Sequence, residues 1–143
     1  TLNNLMVFSG IAGALSDFVS GLDMAPMAVM AVILVIYLVM GCFLDALAMI
    51  LLTVPIFFPI VMDLGFDPVW FGVIVVMVVE LGLITPPIGM NVFVIKGMAP
   101  NVKLSAIYAG VIPFVIAQLL LIAVVFFWPD LVLWLPDTAR AFR

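Results

Sequence analysis

Hydrophobic positions run through this chain in long blocks, and polar residues gather in short clusters between them. "APMAVMAVILVIYLVM" (25–40) and "ALAMILLTVPIFFPIVM" (46–62) are apolar runs of 16 and 17 residues. As helices rising about 1.5 Å per residue, each reaches about 25 Å, short of a hydrocarbon core of about 30 Å. Only "GCFLD" (41–45) joins them, too small and too apolar for a loop in water. The pattern predicts a re-entrant helical hairpin over 25–62, with its tip, Gly41 to Asp45, stopping inside a membrane. Non-helical backbone at that depth is tolerated only where it is buried in protein or lines a cavity. One long kinked span, or two tightly turned helices, is the alternative.

The blocks on either side complete a helical series. Residues 1–9 read as the tail of a preceding helix. In "GIAGALSDFVSGLDM" (10–24), Ile11, Leu15, Phe18, Val19 and Leu22 share one helical face, with Ser16, Asp17 and Ser20 opposite. That stretch is too short and amphipathic to span, so residues 1–23 read as a helix end plus an interfacial arm; a solvated connector is the other reading. "MDLGFDP" is a turn built on Gly65 and Pro68. A long interrupted segment covers 69–98, "APNVK" forms a loop, and 104–128 is a full-length span kinked at Pro113. Residues 129–143 form an interfacial tail, with Trp128 and Trp134 as headgroup-level anchors. The unit 24–128 is therefore one compact all-α membrane domain.

Composition settles the class. Hydrophobic residues make up 69% and charged residues 8%, where a soluble domain carries about 25% charged, so there is too little charge to cover a solvated surface. The chain reads as a multi-pass integral membrane protein. It has no histidine and one cysteine, Cys42, which rules out an internal disulfide and argues against a His/Cys metal site or a His-based triad. A net charge of −4 with four basic residues argues against nucleic acid as a partner. The start, "TLNNLMVF", lacks the features of a signal peptide and suggests a processed or partial chain. Lys96 and Lys103 beside one loop, and Asp23, Asp63 and Asp67 at the hairpin base, place the lysine loop in the cytoplasm and the C-terminus outside. Arg140 and Arg143 weigh the other way.

The chemistry concentrates where the apolar pattern breaks, in "ELGLITPPIGMN" (80–91). A proline inside a helix removes a donor and clashes with the carbonyl four residues back, at a cost of about 3 kcal/mol or more. Pro86 and Pro87 in succession, between Gly82 and Gly89, predict unwinding rather than a bend. Carbonyls around Leu83 to Pro86 then lie open beside the Thr85 hydroxyl, where a hard cation suits them. A half-helix starting near Ile88 would aim its positive end, with Asn91, into the same space. The structural alternative is a packing bend. Asp45 at the tip either orients the tip and helps to select a substrate, or caps the second arm. Glu80, costly in a membrane, is read as a protonated or hydrogen-bonded support of the broken segment rather than an ion ligand.

"MGCFLDALAMILLTVPIFFPIVMDLGFDPVWFGV" followed by "ELGLITPPIGMNVFVIKGMAP" resembles the large membrane subunit of tripartite ATP-independent periplasmic (TRAP) transporters, and the similarity covers nearly the whole chain. The resemblance implies the C-terminal part of a longer subunit with two inverted repeats. The present chain would be one repeat of a two-hairpin, elevator-type transport domain in a bacterial inner membrane, not an enzyme. It implies Na⁺ entry coupled to uptake of an organic acid such as a C4-dicarboxylate or sialic acid, without an organic cofactor. The implied partners are the N-terminal part of the same subunit, a small Q-type membrane subunit and a periplasmic binding protein. By residue match, Gly41 and Cys42 with Gly82, Thr85 and Pro86 form one Na⁺ site. Asp45, Glu80, Pro87, Gly89 and Asn91 line or support the substrate cavity. Cys42 stands where a hydroxyl residue would offer a side-chain oxygen, leaving only backbone carbonyls at the tip. Rival readings are a dicarboxylate carrier that needs no binding protein, and a non-transporting scaffold subunit.

Overall fold

A computed structural model describes residue 21, residues 25–86 and residues 89–141. The arm expected over 1–23 therefore lies almost wholly outside the described residues, as does Pro87. Six helices follow in order: α1 (Pro26–Gly41), α2 (Ala46–Asp63), α3 (Pro68–Ile84), α4 (Met90–Met98), α5 (Leu104–Phe127) and α6 (Asp130–Ala141). The described residues contain no strand.

Local chemistry accounts for most of the boundaries. Pro26 occupies the first turn of α1, where its missing N–H costs nothing. Asp45 caps α2, one carboxylate oxygen accepting from the N–H of Leu47 at 3.1 Å and of Ala48 at 3.3 Å. Asp67 caps α3 in the same way, accepting from Val69 N–H at 2.7 Å, with Pro68 next in sequence. Of the two sequence readings of Asp45, capping is the one that the structure contains. Gly65, at φ 85°, makes the left-handed turn between α2 and α3.

The second arm folds back on the first. The rings of Tyr37 on α1 and Phe57 on α2 lie 5.5 Å apart. On one continuous helix, rising about 1.5 Å per residue, they would be about 30 Å apart. A single kinked span over 25–62 is thereby excluded. The expected arm lengths hold less well. α2 has 18 residues and is long and apolar enough to cross a membrane, as is the 24-residue α5, whereas α1 and α3 are shorter apolar helices. α5 stays helical through Pro113, and the tail after Trp128 is itself a helix.

α3 is the central element. Its buried positions, Trp70, Phe71, Ile74, Val75, Val78, Val79, Leu81 and Gly82, recur at helical spacing and meet partners on two sides. α1 packs most extensively on it, followed by α5. Trp70 is the main anchor: its indole N–H donates to Val125 O at 2.8 Å, and its ring stacks on Phe66 and tilts against Phe126. Met30, Tyr37, Met49 and Ile60 complete the core from α1 and α2. Much of the remaining surface is apolar, including Leu47, Leu51, Phe114, Leu120, Phe127 and Trp134. Contiguous apolar surface on this scale belongs in lipid or against other protein.

Candidate functional site

The turn after α1 sits directly on the end of α3. A methyl group placed on Gly82 would lie 2.8 Å from both the Cα and the carbonyl carbon of Gly41, and 3.1 Å from Leu38 O. One placed on Gly41 would lie 3.3 Å from Gly82 Cα and 3.4 Å from Val79 O. Backbone thus packs on backbone, and neither glycine has room for a side chain. Two segments more than forty residues apart in sequence, the hairpin tip and the helix break, become one junction.

The break forms as the prolines require. Thr85, ahead of Pro86, takes φ −85° and ψ 134°, the extended conformation forced on a residue preceding proline. Gly82 O cannot receive the N–H that Pro86 lacks and accepts instead from Thr85 N at 3.2 Å. The Leu83 carbonyl loses its usual donor as well, because residue 87 is proline. α4 begins only at Met90, two residues later than the sequence reading placed it. Its cap, Gly89, has φ 52° and ψ 84°. A methyl group there would lie 3.1 Å from Thr85 O and 3.3 Å from Leu83 O, so glycine is needed both for the turn and for the approach of these carbonyls.

Side-chain chemistry at the junction is sparse and all neutral. Thr85 Oγ1 donates to Leu81 O at 2.6 Å, which uses its proton and leaves the oxygen lone pairs available. Cys42 is buried, and its thiol donates back to Leu38 O at 3.3 Å. The sulfur is thus engaged with its own helix. At α4, Val92 N–H bonds Gly89 O at 2.8 Å, while the N–H groups of Met90 and Asn91 have no partner among the described residues. This end therefore carries the partial positive charge of a helix N-terminus. The described residues hold no cluster of three His, Cys, Asp or Glu side chains. Carbonyl and hydroxyl oxygens with no carboxylate among them suit a hard cation of low charge better than a tightly held divalent metal.

Of the residues singled out in the sequence, the structure brings Gly41 against Gly82, with Cys42 next to Gly41 and turned onto Leu38 O, Thr85 one turn beyond on α3, and Gly89 against the Thr85 carbonyl. Pro86 is exposed at the break and Asn91 is exposed on the first turn of α4. Asp45 is exposed at the far end of the tip turn, engaged in its cap. Glu80 is not brought to the junction. It projects from another side of α3 into a cleft of about 460 Å³ shared with Phe114, Gln118 and Leu121 of α5. Gln118 went unremarked in the sequence reading, though an amide within "FVIAQLLLIAV" was visible as the lone strongly polar side chain of that run.

Helices with a lipid-compatible surface, joined tip to break, define a helical membrane protein. Residues 1–131 match the family of the tripartite ATP-independent periplasmic transporter, DctM component. The chain belongs to that family. It is 35% identical over 127 residues to the C4-dicarboxylate TRAP transporter large permease protein of Pseudomonas aeruginosa, covering 89% of this chain and 30% of that protein. It is 34% identical over 129 residues to the 2,3-diketo-L-gulonate TRAP transporter large permease protein of Escherichia coli, covering 90% and 30%. With the sialic acid TRAP transporter permease protein of Haemophilus influenzae it shares 30% identity over 127 residues, covering 89% and 20%. The chain thus spans at most about a third of the length of these relatives.

Proposed function

We propose that this chain forms one repeat of the transport domain of a Na⁺-coupled TRAP permease in a bacterial inner membrane. Its work is uptake of a small organic anion handed over by a periplasmic binding protein, with a small membrane subunit alongside. The observation that carries the reading is the seating of Gly41, at the turn after α1, on Gly82, one turn before the α3 break at Thr85. Gly41, Cys42, Gly82 and Pro86 offer backbone carbonyls, and Thr85 adds a hydroxyl oxygen whose proton is already committed. The positive end of α4, with Asn91, lies beside the same break and suits the carboxylate of the substrate. An elevator movement would carry tip and break together, since the two glycines leave no gap between them. The relatives named above for C4-dicarboxylate, diketogulonate and sialic acid point to carboxylates as the substrate class.

The test is uptake by the complete complex in proteoliposomes, with Na⁺ gradients compared against choline. Uptake should require Na⁺. Thr85→Val keeps the shape and deletes one oxygen, so half-maximal uptake should need about tenfold more Na⁺, the equivalent of about 1.4 kcal/mol of lost binding. Equal uptake in choline would overturn the coupling, and an unchanged Na⁺ dependence in the variant would overturn the site.

A further inference from the structure

Glu80 has no counter-charge within the described structure, and its surroundings specify one. It sits late in α3, an otherwise apolar helix, and is exposed on the side facing the cleft against α5. Of the two described lysines, Lys96 is spent on the carbonyls of Pro100 at 2.7 Å and Val102 at 2.6 Å, and Lys103 stands at the N-cap position of α5 without a side-chain capping bond. Neither lines this cleft. Across from Glu80, the Gln118 amide nitrogen donates to Met77 O at 3.4 Å, which ties α5 to α3 and leaves the amide oxygen and one N–H free. The acceptors on offer in the cleft are the Glu80 carboxylate and the Gln118 amide oxygen, set among Leu81, Ile84, Phe114 and Leu121. One carboxylate and one amide oxygen are too few for a hard cation that takes six or more oxygens. They match a side chain with several N–H donors and an apolar stem. An ionisable residue at membrane depth characteristically faces protein and pairs with an opposite charge.

We propose that the Glu80–Gln118 cleft receives a transmembrane helix bearing an arginine or lysine side chain, contributed by the part of the large permease polypeptide outside this chain. Charge complementarity selects the basic side chain. The source follows from length: the relatives extend far beyond the matched region, which is about 30% of each large permease. The cleft lies on another side of α3 from the tip junction, so this contact holds the subunit together rather than binding its ion. It does not depend on the Na⁺ reading.

The experiment uses the full-length subunit within its complex in native membranes, with a photoreactive benzoylphenylalanine at Ala117. Irradiation should join this position to a helical segment of the same polypeptide with an arginine or lysine within one turn of the attachment point. Attachment to lipid alone, to another subunit, or to a segment without a basic residue would overturn the proposal. Glu80→Gln should lower the yield of monodisperse subunit several-fold, because it leaves the incoming cation unpaired. Neutralising the mapped basic residue to methionine in the same variant should restore that yield. A Glu80→Gln protein indistinguishable from wild type would also overturn it.

Discussion

Two proline-bearing regions of this molecule behave in opposite ways. α2 carries Pro55 and Pro59 in its interior and stays helical for 18 residues. The chain at Pro86 and Pro87 leaves the helix at Ile84 and resumes it only at Met90. Each proline in α2 forfeits one helical hydrogen bond, and the residues between them restore the ladder. Adjacent prolines allow no such recovery, because each pushes its predecessor out of the α region; Thr85 at ψ 134° is the direct mark of it. Packing then divides the two cases further. At the break, Gly82 presses on the hairpin tip and Gly89 turns with positive φ over exposed carbonyls. Proline content alone does not break these helices; adjacent prolines with glycine on both sides do.

The comparison can be broken most severely at Gly82. Gly82→Ala should cost about 1–3 kcal/mol, because the added methyl meets backbone rather than a movable side chain. Thermal unfolding of the detergent-purified subunit should show the loss, with uptake lost in parallel. Gly110→Ala, with open space around it, is the matched control and should leave both unchanged. Replacing Pro86 and Pro87 together by alanine returns two N–H donors to the helix. The variant should insert and purify at least as well as wild type, yet transport about tenfold more slowly or worse if the open carbonyls bind the ion. Pro55→Ala should stabilise by about 1 kcal/mol, the net worth of one hydrogen bond, without touching uptake. Full uptake by the double variant would reduce the break to a packing device.

Smaller effects sharpen the same contrast. Asp45→Ala and Asp67→Ala each remove a helix cap and should each cost about 1 kcal/mol. If Asp45 serves only as a cap, uptake per folded subunit will match between the two variants; a selective loss at Asp45 would restore a role in the site. The least expected change is at Cys42, whose thiol is buried and turned onto Leu38 O. A small maleimide should label it more slowly than a surface thiol in the apo complex, and more slowly still with Na⁺ and substrate. Labelling that ignores both ligands would count against the tip as a moving gate.

The helices on either side of the Gly41–Asp45 junction, the stop after Ile84 and the long helix α5 were all legible in the sequence because each rests on local chemistry. Uninterrupted apolar runs, a five-residue junction and a double proline act within a few residues of where they stand. The same holds for Asp45 and Asp67, whose capping bonds reach only two or three residues ahead. Helix ends were less exact. α4 starts at Met90 because the left-handed Gly89 must complete its turn first, which spacing does not reveal.

Tertiary structure alone decided which polar residues share a site. Gly41 and Gly82 differ from Gly72, Gly97 and Gly110 in what lies across from them, and that is set by α1 docking on α3. Glu80 and Thr85 look like members of one motif in the sequence. Helical rotation separates them, sending Thr85 to the break and Glu80 to the cleft beside Gln118. A helix turns about 100° per residue, so neighbours in sequence point apart and only packing says which direction meets which partner. By itself the sequence determined that this chain belongs in a membrane and roughly where its apolar pattern breaks. The folded contacts determined that two of those breaks meet, backbone on backbone, and that its one glutamate faces away from them.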